Sequence, residues 1–272
     1  MSLAHDLNEL ARRFGKDAEF ARSIVMRDLE RSVCGCDYGS TSWTTRWEAE
    51  RIAQLLGLGP TVKLLDVGAG SGWPGLYLAH RTRCDVVLVD LPFASLRVAL
   101  ERAAADRMSQ RCAVVVADAA ALPFKDASFD ALSHSDLLCC APDKPAILRG
   151  CRRVARTGAT MVFTVIALAT SLTEAERGIA IESGPPFVEA PDDYAVLLDQ
   201  SGWRLQERTD LTAVFVESMR THLDGMQARA GALTELLGPA ELTERMQRRQ
   251  ATIGAVEAGL LRREMFVARL GG

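Results

Sequence analysis

From Pro60 onward, short apolar runs alternate with amphipathic stretches at helical spacing. The runs VKLLDV, DVVLVD, CAVVVAD, DALSHSD and ATMVFTVIAL read as strands. The stretches Trp73 to Thr82, Ala94 to Met108 and Lys144 to Arg156 between them read as helices. Regular strand–helix alternation predicts a parallel sheet covered by helices on both faces. The longest apolar run, Met161 to Ala169, suits a strand buried on both sides. WRLQERTD and the closing REMFVARL add two more strands, the last expected to run antiparallel. The predicted fold class is α/β: a Rossmann-like, doubly wound, mostly parallel seven-stranded sheet.

Before Pro60 the pattern is helical. Residues 3–14 and 17–32 read as amphipathic helices, followed by a polar turn from Cys34 to Trp43. A third helix begins with WTTRWEAERIAQLL, capped by Thr44 or Thr45 and stopped at Gly57 or Gly59. The expected organisation is an N-terminal helical cap over 1–60 and a core over 61–272. Thr170 to Pro191 breaks the alternation and reads as a flap inserted in the core. Val214 to Leu261 reads as a helical insertion on the substrate side, interrupted at Gly238-Pro239.

The 272 residues carry 32 basic and 35 acidic side chains, a formal net charge of −3. With no basic excess to attract a phosphate backbone, nucleic acid is not an expected partner. The pairs Arg152–Arg153, Arg248–Arg249 and Arg262–Arg263 read as solvated helix faces. No segment reaches the ~20 apolar residues of a membrane span. The seven cysteines follow no disulfide framework, so reduced thiols and a cytoplasmic location are expected. Cys34-Gly-Cys36 lacks zinc-site spacing, and no metal is expected.

The chemistry concentrates at KLLDVGAGSGWPG, Lys63 to Gly75. A strand, a glycine turn and a helix start present backbone N–H groups to an anionic or dipolar ligand. The match to G-x-G-x-x-G at Gly70 to Gly75 leaves a nicotinamide-dependent dehydrogenase as one reading. Asp66, two residues before Gly68, would repel a diphosphate and attract an ammonium. Asp90, at the end of the second strand, is placed to accept from ribose hydroxyls. Asp118, at the end of the third, can accept from an exocyclic amine, with the N–H of Ala119 facing a ring nitrogen.

The order DVGAGSG, VDLP, ADAAALPFKDASFD and PDKPAILRGCRRVARTGATMVFTVI resembles the class I S-adenosylmethionine-dependent methyltransferases. It is most similar to the small-molecule branch that holds the ubiquinone/menaquinone and sarcosine methyltransferases. The resemblance implies S-adenosyl-L-methionine as cofactor, a small-molecule acceptor, and methylation of N, O or C. It implies a cofactor site of Asp66, Gly68, Ala69, Gly70, Asp90, Leu91, Asp118, Ala119, Ser133 and Ser135, with Tyr38 reaching the cofactor's carboxylate. His134 and Asp136 would lie at the methyl-transfer end, His134 as base and Asp136 orienting an amine; His222 rests on position alone. Cys139–Cys140 stand where many quinone methyltransferases carry a histidine pair. A cofactor-binding protein without catalysis is the other alternative, and oligomeric state, a homodimer included, stays open.

Overall fold

The computed structural model describes residues 12, 14–18, 20–35 and 42–271. The sequence folds into helices α1 (Ile24–Cys34) and α2 (Arg46–Leu55), then β1 (Lys63–Val67), α3 (Gly75–Thr82), β2 (Asp85–Asp90), α4 (Phe93–Ala105) and β3 (Cys112–Val116). There follow β4 (Phe129–Ser135), α5 (Lys144–Val154), β5 (Ala155–Leu168), α6 (Glu174–Ser183), α7 (Tyr194–Gln200) and β6 (Trp203–Asp210). The chain closes with α8 (Thr212–Ala228), α9 (Ala230–Leu237), α10 (Pro239–Glu257) and β7 (Leu261–Leu270).

Among the described residues the strands form one seven-stranded sheet in the order β3-β2-β1-β4-β5-β7-β6. The pairs β1–β2, β1–β4, β2–β3 and β4–β5 are parallel, and β7 pairs antiparallel with β5 and β6. The sheet order reverses direction at β1, so β1 and β4 splay their following loops apart and open a crevice at the strand ends. The apolar run of β5 lies between β4 and β7, with Met161, Val162, Phe163 and Val165 all fully buried.

Several local expectations shift. The helix after the glycine turn starts at Gly75 rather than Trp73, and the Gly75 N–H donates to Asp66 Oδ2 at 3.2 Å. Thr45 caps α2 through a reciprocal capping box with Glu48. The stretch read as one helix from Val214 to Leu237 divides at Arg229, whose φ of −113° ends α8 and begins α9. The residues expected to form the second N-terminal helix turn at 21–23, and Ser23 caps α1 there.

Candidate functional site

The site forms where β1, β2, β3 and β4 end. Each strand runs toward the same edge, so Gly68, Asp90, Asp118 and Leu137 converge on one cavity. Val89, Leu91, Ala117, Ala119, Cys140 and Ile147 supply its apolar walls. Phe14 closes it from the N-terminal segment. A mostly apolar cleft with a few directed acids suits a nucleoside.

Gly68 has φ +72°, a backbone conformation L side chains rarely adopt, and a Cβ there would lie 2.8 Å from Leu137 Cδ1. The position requires glycine for both reasons. Its N–H and that of Ala69 both donate to the carbonyl of Val89, at 2.7 and 3.0 Å, stitching the turn to the end of β2.

Asp90 lines the cleft. Its Oδ2 accepts from the Gly70 N–H at 2.6 Å and its Oδ1 from the Leu91 N–H at 2.7 Å. These bonds fix the carboxylate, and each oxygen keeps a lone pair for a ligand hydroxyl. Burial pushes its pKa up, the two N–H donors pull it down, and the balance is about 6. Asp118 caps the one-turn helix Ala119–Ala121 by accepting from the Ala120 N–H at 2.9 Å through Oδ1, which leaves Oδ2 outside that bond.

Asp66 is not at the mouth of the site, as its spacing suggested. It is 1% exposed, below the turn, accepting from Ser133 Oγ at 2.7 Å as well as from Gly75. Burial raises its pKa to about 7, against the lowering by these two bonds. Asp66 and Ser133 therefore brace the glycine turn from beneath. Ala69, Gly70, Ser133 and Ser135 are absent from the cavity lining; Gly70 acts through its bond to Asp90, and Ser135 Oγ is buried with no partner. Tyr38 lies outside the described residues.

The two residues expected at the methyl-transfer end are built into the interior instead. His134 is 1% exposed and stacks on Phe163, with ring centroids 4.6 Å apart, and Phe163 stacks in turn on Phe266 at 5.0 Å. Neither imidazole nitrogen has a partner, and burial drives the pKa down to about 3. The side chain is a neutral member of an aromatic stack, because strand alternation turns it to the face opposite Ser133. Asp136, just past β4 with φ +54°, accepts from Arg263 Nε at 2.9 Å, from Arg263 Nη2 at 3.2 Å and from the Trp43 N–H at 3.3 Å.

Arg263 is fully buried in β7 and was hidden in a pair read as solvated. Its Nη1 also donates to Glu48 at 2.7 Å, and its Nη2 to Thr164 at 3.1 Å and Thr44 at 3.3 Å. Burial disfavours its charge, but Asp136 and Glu48 more than offset this and raise its pKa. The network fastens the segment before α2 across the end of β4. The sequence carried no signal for it, since Arg263 stands between Arg262 and Glu264, and none for the contribution of residues 137–143 to the cavity.

A family model described as a methyltransferase domain matches residues 65–163. Methyltransferase GfsG of Streptomyces halstedii is 29% identical over 167 residues, 60% of this chain and 60% of that protein. The 27-O-demethylrifamycin SV methyltransferase of Amycolatopsis mediterranei is 26% identical over 211 residues, 75% of this chain and 77% of the relative. The solved structure of Haemonchus contortus phosphoethanolamine N-methyltransferase 2 with phosphomonomethylethanolamine and S-adenosylhomocysteine aligns at a TM-score of 0.76 and 16% identity, over 90% of this chain and 57% of that one. The chain thus spans 60% of the length of the first of these relatives.

Proposed function

We propose that this chain, which belongs to the class I S-adenosylmethionine-dependent methyltransferases, transfers the methyl group of S-adenosylmethionine to an N, O or C atom of a small molecule. The observation that carries the reading is the meeting of Asp90, Leu91, Asp118, Ala119 and Gly68 in one cavity. Asp90 would accept from the ribose hydroxyls, Asp118 from the adenine amine, and Leu91 and Ile147 would sandwich the base. The glycine turn leaves room for the amino-acid arm, because nothing larger than hydrogen projects from Gly68. Asp90 would serve the ribose of a dinucleotide equally well; Asp118 with the Ala119 N–H, facing an adenine, is what favours the nucleoside reading.

When bound, the cofactor supplies an electrophilic methyl on a positively charged sulfur. The chain's own residues then position and desolvate. Holding reactants in line can supply ~7–11 kcal/mol of the barrier. Because His134 and Asp136 are both occupied in the interior, β4 brings no free base to the reacting centre. The reading is therefore of a transfer driven by alignment and exclusion of water. The net charge of −3 favours small-molecule partners over nucleic acid. Six described cysteines are free thiols, which suits a reducing cytoplasm.

The test is incubation of the pure chain with methyl-labelled S-adenosylmethionine and a small-molecule extract. Label leaving the cofactor for a compound of low mass is the expected result. Label that stays on the cofactor, or moves only to water, overturns the proposal.

A further inference from the structure

Among the described residues that line the cavity, Phe14 is the one aromatic side chain and the one that precedes β1. Every other wall residue comes from the strand ends, the loops that follow them or the start of α5. Gly15, next along the chain, runs against the connection from β2 to α4. A Cβ there would lie 3.7 Å from Ala94 Cβ and 4.0 Å from Pro92 Cβ. Phe14 thus reaches the cavity over the side that carries Asp90, Leu91 and Pro92.

The segment that carries Phe14 is fastened by charged side chains to two helices. Arg22 pairs with Glu101 of α4 at 2.5 Å, Lys16 with Glu241 of α10 at 3.6 Å, and Asp17 with Arg245 of α10. The Arg245 guanidinium also lies 5.5 Å from the centre of the Phe20 ring. Phe20 packs with Met26, Leu29, Met226, Leu233 and Leu242, a cluster separate from the two that pack on the sheet. Among the described residues no backbone hydrogen bond joins residues 14–22 to the sheet. Solvent-facing ion pairs are individually weak. The position of the segment is therefore open to bias by a ligand that it touches.

A phenyl ring in the wall of an apolar cleft offers a face on which a nucleobase or sugar packs, and base–aromatic contact adds affinity without hydrogen bonds. We infer that Phe14 is a cofactor-binding residue that covers the nucleoside of S-adenosylmethionine, and that residues 14–22 are the cover that carries it. The inference rests on the methyltransferase reading and adds to its site a residue that no strand end supplies. Closing of the segment and retention of the cofactor are then one equilibrium. Whatever Phe14 contributes to holding the nucleoside, the bound nucleoside returns as protection of the segment. Glu241 and Arg245 receive the segment on α10, so the occupied cavity also steadies the first turns of that helix.

The full chain is titrated by calorimetry with S-adenosylhomocysteine and with methylthioadenosine, which keeps the nucleoside and lacks the amino-acid arm. Phe14→Ala should weaken both ligands by a similar factor, about five-fold or more. Phe14→Leu, which keeps apolar bulk without the ring, should fall between. In the wild-type chain, saturating S-adenosylhomocysteine should slow tryptic cleavage after Lys16 and Arg22, and Phe14→Ala should lose that protection. Phe14 belongs to none of the three buried clusters, so the variants should fold, and the wild-type protection assay stands without them. Affinity for S-adenosylhomocysteine that is unchanged or tighter in Phe14→Ala, a loss confined to S-adenosylhomocysteine, or cleavage indifferent to ligand in the wild type overturns the inference. A wild-type chain that binds no S-adenosylhomocysteine would instead sink the methyltransferase reading, so the two failures are distinct.

Discussion

Asp90 is the residue on which the proposed cofactor site turns. Two backbone N–H groups hold its carboxylate, so in that proposal it would meet a ribose already oriented. Asp90→Ala is expected to weaken S-adenosylmethionine binding by ~1–3 kcal/mol, the worth of charge-assisted hydrogen bonds; isothermal calorimetry measures it. The form that accepts two hydroxyls is the ionised one, and its pKa without ligand is about 6. Affinity should therefore hold above pH 7 and fall as pH drops through about 6, whereas a flat profile from pH 5 to 8 would rule out this role. His134 carries the opposite expectation. A catalytic base contributes ~10²–10⁴-fold, so its loss would be unmistakable. With both nitrogens unpartnered in an aromatic stack, His134→Leu should leave turnover within a few-fold and stability unchanged or slightly higher, as thermal melting and initial rates would show. Asp90 and Asp118 were legible because an acid ending an apolar run stands at a strand tip. The burial of His134 was not, because strand parity depends on a register that one strand alone does not reveal.

At the scale of elements, the segment before α2 is held by one buried cation. Arg263 of β7 joins Glu48 of α2 to Asp136 beyond β4, and the Trp73 indole N–H donates to Thr44 O at 2.6 Å beside it. Arg263→Met leaves two buried carboxylates without their partner and is expected to cost roughly 3–5 kcal/mol of stability. Chemical denaturation would measure the loss, and a change under 1 kcal/mol would contradict the network's role. The strands from β1 to β5 follow the apolar runs closely, since buried parallel strands declare themselves by composition alone. The break between α8 and α9 carries neither glycine nor proline, so the uninterrupted helical pattern concealed it. Arg263 was misread for a related reason: in the Arg262–Arg263 pair, the sequence does not say which side chain the sheet turns inward.

On the scale of the whole molecule, the sheet topology puts two acids with raised pKa values side by side, and stability should record them. Asp66 in the folded chain titrates near 7, above its ordinary value of 3.8. The fold binds that proton more tightly than the unfolded chain, so this contribution is full below about pH 4 and is lost as pH rises through about 7. The effect is worth up to roughly 4 kcal/mol. Asp66→Asn can keep both bonds, its carbonyl accepting from Gly75 and its amide donating to Ser133. Its melting temperature relative to wild type should rise from pH 5 to about pH 7 and level off above about pH 8; a difference constant with pH would show that Asp66 is not protonated in the fold. The seven strands were readable from the rhythm of the chain, whereas the antiparallel direction of β7 leaves no mark in that rhythm. The packing of Trp43 against α8 and α10 was not readable, because these segments meet only in three dimensions.

The central claim is that the cleft at the ends of β1, β2 and β3 holds S-adenosylmethionine by its sugar and its base. The most direct measurement is calorimetric titration of S-adenosylhomocysteine and of NAD into the wild-type chain and Asp90→Ala. Saturable binding of the thioether nucleoside, weakened five-fold or more by the substitution, with no heat from NAD, is the predicted result. Binding of NAD in its place, or an affinity for S-adenosylhomocysteine indifferent to residue 90, would contradict it.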